Sequence, residues 1–132
     1  MILLNFSHPL SAAQRAQIEA LAGQAIAVLH DLPVQFDVQQ PFEPQLTELL
    51  QRVPLSPLDW QTQPLLIVLP ALNFITAMLL ADLHGRMGYF PTVVRLRPVA
   101  GSTPPTYEVA ELLNLQALRE RARQARTPAA GG

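Results

Sequence analysis

With 132 residues, 49% of them hydrophobic and 14% charged, the chain is expected to form one domain that buries a core without staples. The absence of cysteine excludes disulfides, thiolate catalysis and cysteine-ligated zinc, and His8, His30 and His84 show no metal-ligand spacing, so no metal and no cofactor are expected. Net charge is −1 but uneven: residues 1–85 hold two Arg against seven acids (2 − 7 = −5) and residues 86–132 hold seven Arg against three acids (7 − 3 = +4).

Met1–Phe6 is a short apolar run of strand type, and no basic leader or small-residue cleavage site is visible in it, which predicts a cytoplasmic protein. Ser11-Ala-Ala-Gln14 fits a capping box, and Ile18, Leu21 and Ala22 continue a helical stripe that Gly23 ends. Ala25–Leu29 is a second strand, with Val34–Val38 either prolonging it past Pro33 or forming a separate short strand. A helix over Gln45–Val53 has Pro44 in its first turn and Leu46, Leu49, Leu50 and Val53 on one face.

Pro54–Pro64 is predicted as a proline-punctuated loop around the only tryptophan, Trp60. Pro64-Leu-Leu-Ile-Val-Leu-Pro-Ala-Leu-Asn-Phe-Ile-Thr76 then reads as a buried strand that turns at Pro70 into an apolar helix from Asn73 to the Gly85–Gly88 region. The apolar run from Leu65 to Ala81 is interrupted by Pro70, Asn73 and Thr76, so strand plus helix describes it better than a membrane span. Thr92–Arg97 and Tyr107–Leu113 are further strands, the last of them antiparallel at the sheet edge, and Asn114 caps a helix through Arg126. Residues 127–132 are expected to form a flexible tail after a domain spanning 1–126.

This alternation predicts an α/β fold, a Rossmann-like three-layer sandwich with a mainly parallel central sheet. In that class ligands bind beyond the carboxyl ends of the strands at the topological switch point. The loops after Phe6 and Leu69 fall there. Asn5, Phe6, Ser7 and His8 form one candidate wall, where Asn5 and Ser7 either contact a ligand or only close the turn, and His8 lacks an identifiable partner carboxylate. Pro70, Ala71, Leu72, Asn73 and Thr76 form the other: small Ala71 admits close approach, and the helix N-terminus offers N–H groups to an anion, with Asn73 also suited to an N-cap.

Arg86 is a further candidate contact at a helix C-terminus, whereas Arg95 and Arg97 suit salt bridges as well as ligand contact. There is no glycine-rich phosphate fingerprint, which disfavours ATP hydrolysis and dinucleotide redox chemistry. The eight aromatics are scattered, without a stacking series for single strands; no DNA or membrane partner is expected.

Ile2-Leu-Leu-Asn-Phe-Ser-His-Pro9, Leu69-Pro-Ala-Leu-Asn73, His84-Gly-Arg-Met-Gly88-Tyr-Phe-Pro91 and Val94-Arg-Leu-Arg-Pro98 together resemble a small CRISPR-associated family called Csx-fifteen, found beside type III CRISPR systems. The resemblance spans nearly the whole chain and includes Leu115-Gln-Ala-Leu-Arg119. It implies a CRISPR-associated Rossmann-like domain, a homodimer with ligand-driven higher assembly as an extension, and binding of cyclic oligoadenylate, chiefly cyclic tetra-adenylate. It also implies a sponge that lowers free antiviral second messenger by holding it. The alternative is a metal-independent ring nuclease in which a ribose 2′-OH attacks its own phosphodiester, with His8 and Ser7 as the proton-handling groups. A non-catalytic docking subunit is the third reading, from the large apolar fraction.

Overall fold

Four consecutive buried residues, Leu65–Val68, form the central strand of the fold in the computed structural model, which describes residues 1–128. This strand, β3, is flanked on both sides by parallel neighbours, which is why it is apolar throughout and does not alternate. The other strands are β1 (Ile2–Asn5), β2 (Val28–Asp31), β4 (Thr92–Pro98) and β5 (Tyr107–Asn114). Their order is β2-β1-β3-β4-β5, with only the β4–β5 pair antiparallel. The helices are α1 (Ala12–Ala22), α2 (Phe42–Gln51), α3 (Pro57–Thr62), α4 (Asn73–Met87) and α5 (Leu115–Gln124).

Successive strand residues point to opposite faces, so Leu3 and Leu4 enter different cores. On one face Leu4, Phe6, Ile67 and Val93 meet Leu46, Leu49 and Leu50 of α2, Trp60 of α3, and Leu79, Leu83 and Met87 of α4. On the other, Leu3, Leu66, Val68, Val94 and Val109 pack with Ile18 of α1. The result is a Rossmann-like three-layer α/β sandwich. Its strand order reverses between β1 and β3, so the chain leaves the sheet centre in both directions and opens a crevice at their carboxyl ends.

Helix ends follow local chemistry. Ser11 and Gln14 form the full capping box of α1, and Gly23 closes that helix at φ 69°, a left-handed conformation that glycine adopts without steric penalty. Gly88 does the same for α4 at φ 82°. Asn114 caps α5 by accepting the Ala117 N–H at 2.9 Å, although α5 stops at Gln124 and not at Arg126.

Three expectations are corrected. Residues 54–64 are not merely a loop: Ser56 and Asp59 form a capping box, Pro57 fills the first helical position, and α3 buries Trp60 to 3% exposure. The second strand starts at Val28, because Ile2 pairs with Val28 and sets the register there. Val34–Val38 is not a strand. Its end is held by Gln45 of α2, whose Oε1 accepts the Asp37 N–H at 2.7 Å and whose Nε2 donates to the Asp37 carbonyl at 3.0 Å. Of the predicted tail 127–132, residues 129–132 lie outside the described residues. No helix among the described residues is long and apolar enough to cross a membrane.

Candidate functional site

The crevice at the strand order reversal is a cleft of about 320 Å³ with three walls. Phe6, Ser7 and His8 come from the loop after β1, and Pro70, Ala71 and Leu72 from the turn after β3. The third wall, Pro33, Val34 and Gln35, follows β2 and was not foreseen among the candidate residues. Its signal was available in principle: in a parallel sheet the segment after β2 must emerge at the same edge as those after β1 and β3. Reading Val34–Val38 as strand concealed it.

Asn5 organises the first wall and does not face into the cleft. It is fully buried, at 0% exposure, and its amide is completely engaged. Nδ2 donates to the His8 carbonyl and to Asp31 Oδ1, both at 2.9 Å, while Oδ1 accepts the Ser7 N–H at 3.0 Å. Asn5 and Asp31 are direct partners in the β1–β2 register, so one side chain clips the loop after β1 to the end of β2. The expectation of ligand contact by Asn5 is therefore corrected: its polar atoms already have partners, and it is a positioning residue. Ser7 is half-buried and His8 exposed at the rim. Both join this clip through backbone groups, which leaves the hydroxyl and imidazole directed by a fixed loop.

The third-strand turn is built in a similar way. Thr76 lies inside α4 and its Oγ1 donates to the Pro70 carbonyl at 2.9 Å, pinning the turn against the helix. Thr76 and Asn73 do not line the cleft. The N-cap of α4 is Leu72, not Asn73, and no side chain caps this helix; Asn73 Oδ1 instead accepts the N–H of Phe74 at 2.8 Å. A leucine N-cap is among the least favourable choices, and it leaves first-turn N–H groups and the positive end of the helix dipole beside Leu72 at the cleft wall. Such an anion-tolerant edge matters here because no arginine lines the cleft, and the Asp31 carboxylate stands behind Asn5.

The arginines are elsewhere. Arg86 sits one residue from the C-terminal end of α4, roughly 20 Å along the helix from Asn73 at 1.5 Å per residue. There it pairs with Asp82 and lies 6.0 Å from the Trp60 ring centroid, so it does not join the cleft residues. Arg95 pairs with Glu111 at 2.7 Å and Arg97 with Glu108 at 3.0 Å across the β4–β5 pair, which makes both cross-strand ion pairs. Among the described residues no cluster of His, Asp and Glu could hold a metal ion, and no buried side-chain polar atom lacks a partner.

The fold and cleft together define a doubly wound α/β domain with a switch-point site. Neither a family model, nor a curated protein, nor a solved structure matches the chain.

Proposed function

We propose that the cleft binds part of a cyclic oligoadenylate, most simply cyclic tetra-adenylate, and that the protein holds this messenger as a sponge in the cytoplasm. The observation that carries the reading is the convergence of three strand-end loops on a cleft beside the uncapped start of α4. Pro33, Val34 and Leu72 supply apolar surface for a base over a floor backed by buried Phe6 and Pro70, Ser7, His8 and Gln35 supply groups for base edges and ribose hydroxyls, and the α4 N-terminus favours a phosphate. The resemblance of the Ile2–Pro9 and Leu69–Asn73 segments to the Csx-fifteen family points to the same ligand.

A cleft of about 320 Å³ is at the lower end of ligand sites, enough for one nucleotide and too small for a ring of four. A ring therefore spans at least two copies, and a two-fold dimer presents equivalent clefts to a symmetric ligand. The outward side of α4 supports such pairing. Phe74, Ala77, Ala81 and Gly85 are all exposed along it, an uncharged stripe that a second copy could cover.

Ring cleavage is the second reading, favoured by the placement of Ser7 and exposed His8 together at the rim. A bound ribose 2′-OH would attack its adjacent phosphorus, the 5′-oxygen would leave with a proton, and a 2′,3′-cyclic phosphate would form. Incubation with a tenfold excess of cyclic tetra-adenylate, followed by chromatography of the denatured mixture, separates the readings. Tight binding with intact ligand recovered supports the sponge, multiple turnovers replace it by the nuclease, and absence of binding overturns both.

A further inference from the structure

A second cavity, of about 120 Å³, adjoins the cleft between the chain after β2 and the helix α2. It shares Pro33 and Gln35 with the cleft, so the two cavities meet at that segment. Their linings differ in kind. The cleft is mostly apolar and carries no arginine, whereas the adjoining groove is bordered by Gln35, Gln45, Glu48 and Arg52.

We propose that this groove is an anion subsite in which Arg52 binds a phosphate of a nucleotide ligand whose base occupies the cleft. The inference rests on the nucleotide reading of the cleft and names the side chain that supplies the positive charge the cleft lacks.

Arg52 is the C-cap of α2, with its backbone N–H bonded to the Leu49 carbonyl at 3.1 Å, so its main chain is fixed at the edge of the groove. The guanidinium contacts Glu48 through one nitrogen, Nη2 to Oε1 at 3.1 Å. A guanidinium has five N–H donors in a fixed fork that suits two phosphate oxygens at once. Both side chains of the pair are more than half exposed, at 59% and 70%. Such a pair is weak in water, so exchanging Glu48 for a phosphate sacrifices little.

The far wall is stiff. Gln45 spends its amide on Asp37 and on the Pro41 carbonyl, 2.9 Å away, which holds the loop over the groove. Gln35 is exposed at the boundary shared by the two cavities, where an amide reaches a ribose or a phosphate. Glu48 and the carbonyl end of α2 are the opposing elements: Glu48 competes for Arg52, and both repel the incoming anion and tune affinity downward.

The test is titration of cyclic tetra-adenylate into the full chain, at low and high salt, for wild type, Arg52→Ala, Arg52→Lys and Glu48→Gln. Thermal unfolding serves as the control for fold. Arg52→Ala is expected to weaken binding roughly tenfold to a hundredfold, the range of a lost charge-assisted contact, and to flatten the salt dependence. Arg52→Lys should recover part of the loss, and Glu48→Gln should bind more tightly than wild type. Wild-type affinity in Arg52→Ala overturns the subsite while the cleft reading stands. Equal weakening in Arg52→Ala and Glu48→Gln assigns the pair a structural role and overturns it as well. If wild type binds no cyclic tetra-adenylate, both readings fall.

Discussion

Replacing Asn5 by alanine removes the clip on which the first cleft wall depends. The side chain is fully buried and makes three hydrogen bonds, to the His8 carbonyl, the Ser7 N–H and the Asp31 carboxylate. Two neutral bonds at about 1 kcal/mol each and one charge-assisted bond at about 2 kcal/mol give a loss of about 4 kcal/mol. In a domain of this size each kcal/mol lowers the midpoint by about 3–5 °C, so Tm should fall by roughly 10–20 °C. Thermal and urea unfolding measure this directly, and an unchanged urea m-value would show that the effect is on stability and not on compactness. Asn5→Asp should be at least as unstable, because it places a second carboxylate against Asp31 and removes both amide donors. A loss below about 1 kcal/mol for Asn5→Ala would refute the assignment of Asn5 as the tie between the loop after β1 and the end of β2.

Two further substitutions test the second wall and the far end of α4. Leu72 has the extended backbone of an N-cap, φ −91° and ψ 121°, but no capping side chain, so Leu72→Asp should stabilise α4 by about 1 kcal/mol in urea unfolding. The same change puts a carboxylate at the cleft edge and should weaken binding of cyclic tetra-adenylate; a destabilised or tighter-binding variant contradicts this account of the turn. Arg86→Ala loses an exposed ion pair and a contact 6.0 Å from the Trp60 ring centroid, together about 1 kcal/mol, with ligand affinity unchanged. A large drop in affinity for that variant would place Arg86 back among the ligand contacts.

The starts of α1 and α5 and the stops of α1 and α4 were legible because their chemistry is local. Ser11 and Gln14 satisfy each other within one turn, Gly23 and Gly88 relieve a left-handed bend, and Asn114 reaches an N–H three residues ahead. The α3 helix was equally local, with Ser56, Pro57 and Asp59 in helix-start positions, yet the prolines around it suggested a loop. Proline disfavours a helix interior but suits its first position, and only that distinction separates the two readings.

The sequence by itself determined the class of fold and two of the cleft walls, since an apolar strand followed by a turn and a helix places that turn at the carboxyl edge of a parallel sheet. Only the tertiary structure decided what each polar group does there. Asn5 turned inward because Asp31 lies opposite it in register, Arg95 and Arg97 were taken by Glu111 and Glu108 across the β4–β5 pair, and Arg86 was carried along α4 to the opposite end of the helix. The tertiary structure also added Pro33–Gln35 as the third wall and brought Arg52 to the groove beside it. Propensity and capping act over a few residues, whereas the partners of a buried amide or a guanidinium are chosen by which strands and helices become neighbours, and that choice is made by the packing of the whole chain.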